Sequence, residues 1–249
     1  IRISKFPIFI KKNQELGRKN KLKRFRENET FSNVLQPERD ILEKDQFPMK
    51  GNWRNKFFKN QNPIVLELGC GKGEYSVHLA QNNPQINYVG LDIKGARFWR
   101  GAKTALESEL KNVAFMRTQI ELIASCFAEN EVDEIWITFP DPQIKYKRTK
   151  HRLTNPEFLK SYQKVLKPQG IIHLKTDSEF LFGYTLATAV NHGEILYAHH
   201  DIYNNGNSPK EATAVQTFYE KQFLEANKMI CETLGIEDTD IVNVSVYPN

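Results

Sequence analysis

The sequence predicts an α/β fold: a doubly wound, mostly parallel, seven-stranded sheet preceded by a basic N-terminal arm. Three observations predict it. From residue 63 onward, short apolar runs alternate with longer amphipathic segments, the pattern of strand–helix–strand units. A glycine-rich stretch, ELGCGKG (Glu67–Gly73), falls between the first such run and its helix. Residues 1–62 break the pattern: they lack sustained periodicity and hold 16 Lys+Arg against 7 Asp+Glu, a net of +9, while the remainder holds 19 against 23, a net of −4. A basic arm (1–62) on a mildly acidic body (63–249) points to a polyanionic partner.

Each element follows from its local pattern. In the arm, RKNKLKRFR (Arg18–Arg26) packs six basic residues into nine and reads as partly helical, ordered on a partner. IVLELG (64–69) is the first strand, and a helix spans about Glu74–Gln81. NYVGLD (87–92) is the second strand and Gly95–Leu110 the second helix. NVAFMR (112–117) is the third strand, followed by a short helix near Ile120–Phe127 and by VDEIWITF (132–139), the fourth strand. Pro156–Leu166 reads as a helix, GIIHLKTD (170–177) as the fifth strand, Phe180–Asn191 as a helix and EILYAH (194–199) as the sixth strand. A polar loop then leads to a long helix over about Val215–Thr233, and IVNVSVY (241–247) closes the sheet as the seventh strand.

Composition narrows the function classes. A chain of 249 residues can bury a sizeable core. No apolar run approaches the ~18 residues that span a bilayer, and no signal peptide is visible, so no membrane partner is expected. The three cysteines, Cys70, Cys126 and Cys231, are scattered and odd in number, which fits a reducing, cytoplasmic setting. They form no CxxC or Cys/His cluster, so no metal is expected.

In doubly wound sheets, ligands sit at the carboxyl ends of the strands near the point where strand order reverses. The candidate residues fall there. Gly69, Gly71 and Gly73 permit a tight turn and close ligand approach. A dinucleotide fingerprint would need a third glycine at position 74, but that residue is Glu74, which would oppose a pyrophosphate. Asp92 ends the second strand, where an acid can accept both ribose hydroxyls. The plain alternative is a turn that only packs a helix on a strand; spacing and the second acid favour a ligand loop.

The E-x-G-x-G-x-G loop with an acid at the next strand end resembles the cofactor half of class I S-adenosylmethionine methyltransferases, whose sheet is Rossmann-like. The resemblance implies that Glu67 and the Gly69–Gly73 backbone flank the methionine part of S-adenosylmethionine, that Asp92 holds its ribose, and that Gln119 lies near the adenine where many such enzymes have an acid.

A second stretch carries more. Residues 135–152, IWITFPDPQIKYKRTKHR, run from a buried-looking strand into Pro140-Asp141-Pro142 and then into five basic residues among the eight from Lys145 to Arg152. Each proline fixes its own φ and restricts its predecessor, so Asp141 has few conformations available. The alternatives are a rigid turn with Asp141 as a helix cap, and a solvated basic face.

FPDP with downstream Lys145, HLKTD and TFYE (Thr217–Glu220) resembles the signature of tRNA (guanine-N7)-methyltransferases, over most of the chain from about Pro63. The sequence departs from it in having Gln143-Ile144 where the family usually has Trp and often Pro. The resemblance implies tRNA as partner, with a variable-loop guanine as target, and allows a monomer or a homodimer. It implies Asp141 at the catalytic centre beside the cofactor, Lys145 and Asp177 on the substrate, and Thr217, Phe218, Tyr219 and Glu220 lining the guanine pocket. Lys147, Arg148, Thr149, Lys150, His151 and Arg152 would touch RNA, and the basic block becomes a phosphate grip beside the catalytic aspartate.

Guanine nitrogen 7 carries a lone pair and no proton, so its methylation needs no general base. Alignment and electrostatics suffice. His151 and His173 therefore read as RNA-contact or structural residues. Two rivals remain. An exocyclic-amine methyltransferase would carry (D/N)PP(Y/F) after the fourth strand, and PDPQ lacks its paired prolines and aromatic. A non-catalytic RNA-binding protein on the same fold would have no use for an intact Glu67, Asp92 and Asp141.

Overall fold

A computed structural model describes residues 21–204, 206, 208–225, 229–238 and 241–244. Part of the basic run, residues 18–20, lies outside them. So do the side chains of Phe218 and Tyr219.

Four parallel pairings among five strands build the centre of the sheet. Strands β2 (Ile64–Leu68), β3 (Asn87–Asp92), β4 (Val113–Arg117), β5 (Val132–Thr138) and β6 (Leu166–Thr176) match the expected positions within a few residues. Their order reverses between β2 and β5, since β3 and β4 lie to one side of β2 while β5 and β6 lie to the other. Parallel strands covered on both faces bury every residue, and β2 does so along its whole length. Val65 packs with α3 (Glu74–Asn82) and α4 (Gly95–Glu107) through Tyr75, Val77 and Phe98. Ile64, Leu66 and Leu68 face the opposite core with Phe127, α6 (Pro156–Val165) and α7 (Glu179–Ala189).

Two strands beyond the expected seven complete the described sheet. Val34–Leu35 (β1) pairs in parallel with β4 through Val34–Phe115 and Leu35–Met116. Cys231–Asp238 (β8) is antiparallel to both β6 and β7 (Glu194–His199) and separates them, and β9 (Ile241–Val244) pairs with β7. The expected helix over Val215–Thr233 is corrected accordingly. A helix, α9, spans only Phe218–Glu225, and the chain is extended from Cys231. Thr233, Gly235 and Ile236 are weak helix formers, whereas the ladder to β6 and β7 satisfies both edges of the backbone.

Residues 21–58, read from sequence as part of an arm, pack on the sheet. A helix at residues 21–30 rests on α4, where Asn28 Nδ2 donates to Gly95 O at 2.9 Å and Trp99 Nε1 donates to Glu27 Oε2 at 2.6 Å. Trp53 is fully buried, donates through Nε1 to Cys126 O at 3.0 Å and stacks on Phe127 at 5.1 Å. Truncating such an aromatic costs about 3–5 kcal/mol. Among the described residues, no helix is long and apolar enough to cross a membrane.

Candidate active site

The carboxyl ends of β2, β3, β5 and β6 converge on the glycine loop. β2 delivers Glu67, whose carboxylate is buried and held by neutral donors: Ser76 N (3.0 Å) and Ser76 Oγ (2.5 Å) on one oxygen, Thr138 Oγ1 (2.7 Å) on the other. Burial raises its pKa to about 7, against the lowering effect of the Ser76 and Thr138 hydrogen bonds. A carboxylate so placed gains from a positive charge brought beside it.

The loop turns through left-handed conformations at Gly69 (φ 75°), Gly71 (φ 55°) and Gly73 (φ 73°). The three differ in surroundings. A Cβ on Gly69 or Gly71 would meet nothing closer than 3.9 Å, so their open faces form a cradle for a ligand. A Cβ on Gly73 would come within 2.4 Å of Phe115, and one on Gly101 within 2.7 Å of Lys72 O and 2.9 Å of the Gly73 Cα, so this glycine serves helix packing. Asp92 accepts from Gly71 N (3.1 Å) through one oxygen and from Lys94 N (2.7 Å) through the other. Each oxygen keeps capacity for a hydroxyl donor.

Glu67, Gly69, Gly71, Tyr75, Arg97, Thr138, Phe139 and Thr217 line a cavity of about 100 Å³. Cys70 lines it too, but burial, then Glu67 and Asp92, push its thiol far above the usual range, which rules out a ready nucleophile. A second hollow of about 300 Å³ lies beyond Asp92, between Ile93, Thr118, Gln119 and Arg39. There Arg39 Nη1 donates to Gln119 Oε1 at 2.8 Å, which engages the amide oxygen. A larger hollow of about 600 Å³, lined by Lys50, Glu129 and Lys164, reaches the first residue of β6. It therefore opens at the amino ends of the strands, away from every motif, and carries no part of the argument.

After β5, Phe139 and Gln143 flank Pro140-Asp141-Pro142 and both adopt φ 47°. A left-handed bulky residue costs of order 1–3 kcal/mol, and the surroundings must hold it. Three contacts do so. Phe139 N donates to Lys175 O at 2.7 Å, Asp141 Oδ1 accepts from Gln143 N at 3.1 Å, and Arg152 donates to Gln143 O (3.2 Å) and Ile144 O (3.3 Å). Arg152, expected on RNA, is thus 5% exposed, with its guanidinium 4.7 Å from the Phe180 ring and 4.3 Å from that of Tyr184. Its planar fork is consumed by the loop it holds. Asp141, Lys145, Lys147, Arg148, Lys150 and His151 are exposed on the same stretch, while the half-buried Thr149 donates to Tyr146 O at 2.7 Å.

Asp177 follows the end of β6 and is half-buried. Glu220, expected on guanine, is fully buried and ion-paired to Lys175, so its capacity is spent inside the protein. Sequence reasoning missed Lys175, Arg97 and Tyr146. A lysine inside an apolar strand was the available signal for Lys175. Tyr146, 92% exposed among lysines, presents a bare ring a few residues beyond Pro140-Asp141-Pro142 and beyond Gln143-Ile144, where the family's usual tryptophan is absent.

A family model described as "Putative methyltransferase" matches residues 61–233. A tRNA (guanine-N(7)-)-methyltransferase of Christiangramia forsetii is 68% identical over 216 residues, covering 86% of this chain and 96% of the relative. The chain belongs to the tRNA (guanine-N(7)-)-methyltransferase family. The tRNA (guanine-N(7)-)-methyltransferase of Porphyromonas gingivalis is 50% identical over 220 residues, 85% of this chain and 88% of the relative. Among solved structures, the 16S rRNA methyltransferase KamB superposes with a TM-score of 0.56 at 15% identity, covering 74% of this chain and 92% of KamB, a likeness of fold. Within this family frame, Glu67, Gly69 and Gly71 line one cavity with Phe139, two residues before the exposed Asp141, while Gly73 packs on Phe115, Arg152 holds the turn at Gln143 and Ile144, and Glu220 pairs with Lys175.

Proposed function

We propose that the chain transfers a methyl group from S-adenosylmethionine to nitrogen 7 of a guanine in the variable loop of tRNA. The observation that carries the reading is the adjacency of two features. A cradle bounded by two buried carboxylates, Glu67 and Asp92, is open above Gly69 and Gly71. Phe139 lines that cradle, and two residues beyond it Asp141 opens onto exposed Lys145, Lys147, Arg148 and Lys150.

The cradle fits the cofactor by the chemistry of its groups. Glu67 favours the ammonium or sulfonium, Asp92 accepts from the ribose hydroxyls, and Gln119, which lines the hollow beyond Asp92, takes the adenine end. When bound, S-adenosylmethionine supplies an electrophilic methyl on a positively charged sulfur. The chain's own residues supply alignment and field. Nitrogen 7 would take the methyl on its lone pair as the methyl–sulfur bond breaks and its electrons return to sulfur, leaving a neutral thioether; no proton would leave nitrogen 7, so no side chain acts as base there. The guanine ring gains positive charge, and the Asp141 carboxylate interacts with that charge more strongly in the transition state than before it. Asp177 accepts from the guanine ring N–H and amine, which adenine cannot offer in the same arrangement. Lys145, Lys147, Arg148 and Lys150 bind phosphates and position the strand without reading it.

The test is incubation of the purified protein with labelled S-adenosylmethionine and separate pools of tRNA and DNA, followed by mapping of the labelled nucleotide. Label at nitrogen 7 of guanine in tRNA is expected. Label on an exocyclic amine, or on DNA alone, overturns the reading.

A further inference from the structure

Lys175 and Glu220 are both fully buried, and their charged atoms meet at 2.5 Å. Lys175 sits near the end of β6, a strand otherwise filled at that end by Ile172, Leu174 and Thr176. An ammonium has three protons to donate. Glu220 Oε1, Ala212 O at 2.5 Å and Val215 O at 3.1 Å take them, with the Tyr203 hydroxyl at 3.5 Å. The rings of Tyr75, Phe139 and Tyr203 stand 5.7, 5.9 and 5.7 Å from the charge.

Glu220 is equally engaged. Its Oε1 also accepts from Tyr203 O–H at 2.5 Å, and its Oε2 accepts from Thr217 N at 3.2 Å. Thr217 Oγ1 accepts from Glu220 N at 3.3 Å, which closes a reciprocal cap at the start of α9. Meanwhile the backbone carbonyl of Lys175 holds Phe139 N, the residue that leads into Pro140-Asp141-Pro142.

Burying two charges gains little stability over an apolar pair of the same size, so stability alone does not account for them. What the pair supplies is a single placement. Two carbonyls and one carboxylate from residues 212–220 must all meet one ammonium, and few positions of that segment allow it. Thr217 is the residue of the segment that lines the glycine-loop cavity.

We propose that Lys175 is a positioning residue for methyl transfer. Its buried ammonium locks residues 210–220 so that Thr217 sits at the rim of the cofactor cavity, and its carbonyl holds the strained turn that presents Asp141. The proposal rests on the functional reading above.

Lys175→Met and the neutral pair Lys175→Met/Glu220→Gln test it, each assayed for single-turnover transfer at saturating tRNA and cofactor, for tRNA binding and for S-adenosylhomocysteine binding. Lys175→Met should lose roughly 100-fold in rate, the effect of displacing reacting groups by about 1 Å. Its tRNA affinity should stay within about threefold of wild type, because phosphate contacts lie elsewhere. The neutral pair should recover about tenfold of the lost rate, since no unpaired charge remains buried. A merely structural lysine would show neither a saturating-rate defect in folded protein nor rescue by a second substitution. A wild-type rate for Lys175→Met, or a double variant no faster than the single one, overturns the proposal. Should Lys175→Met fail to fold, the double variant decides: a rate about tenfold below wild type supports the lock, and an unchanged rate overturns it. Wild-type protein that binds no S-adenosylhomocysteine refutes the functional reading and the proposal together, whereas intact wild-type binding confines any failure to Lys175.

Discussion

Glu67 and Glu220 are two buried carboxylates at the same end of the sheet, and both were expected on a ligand. Their surroundings separate them. Glu67 is held by neutral donors, Ser76 and Thr138, and burial lifts it to about 7. Glu220 already has its cation in Lys175, and Tyr203 and Thr217 occupy its remaining capacity. A buried carboxylate with only neutral partners is a receptor for positive charge. One with a lysine is part of the frame. Residue type and burial alone do not distinguish them; the partner does.

The largest expected effect breaks the comparison at Glu220. Glu220→Gln leaves the Lys175 ammonium buried without its counter-charge and should lower stability by about 3–5 kcal/mol. Glu67→Gln can keep its hydrogen bonds, with the amide oxygen accepting from Ser76 and the N–H₂ donating to the Thr138 hydroxyl, so its stability should change by less than about 1 kcal/mol. Chemical denaturation of the two variants measures the difference, and equal losses would erase the distinction.

Next in size is Asp141→Asn, which keeps shape and removes charge. Single-turnover transfer should fall about 100-fold while cofactor affinity holds. A near-wild-type rate would confine Asp141 to a turn-forming role, as its hydrogen bond to Gln143 N alone suggests.

The third sharpens the receptor role of Glu67 through pH. Burial raises its pKa from 4.5 to about 7 in the folded protein. A bound cation favours the ionised form, so binding below pH 7 must release a proton. Cofactor affinity should therefore rise with pH, by at most tenfold per unit, and level off above about 7. The rise should vanish in Glu67→Gln. Calorimetric titrations between pH 5.5 and 8 on the order of half-unit steps resolve it. A flat profile in the wild type would place the positive charge away from Glu67.

The smallest effect per residue separates the basic stretch into two parts. Neutralising Lys147, Arg148 and Lys150 together should reduce the slope of log affinity for tRNA against log salt by about two to three units. Arg152→Ala should leave that slope unchanged and instead loosen the turn at Gln143 and Ile144, whose carbonyls it holds.

Much of this was readable from sequence, for physical reasons that differ by element. The central parallel strands are continuous apolar runs, because both faces are covered, and they stand within a few residues of their expected bounds. The glycine loop declares itself because glycine adopts its left-handed φ values without the strain that a side chain adds. The stretch 215–233 differs from its expected helix because the strand that begins at Cys231 owes its form to the ladders with β6 and β7, not to local propensity.

By itself, then, the sequence determined the α/β class, the positions of the central strands, the glycine loop between Glu67 and Asp92 and the stiff Pro-Asp-Pro, since each depends on local backbone sterics and short-range periodicity. The tertiary structure alone decided which members of those motifs are engaged inside the protein. It turned Gly73 to Phe115, Arg152 to the carbonyls of Gln143 and Ile144, and Glu220 to Lys175. Those partners are distant along the chain or reached only through a fold-dependent turn. Hydrogen-bond capacity and charge are spent on whichever group the folded backbone brings within about 3 Å, and no local pattern specifies that choice.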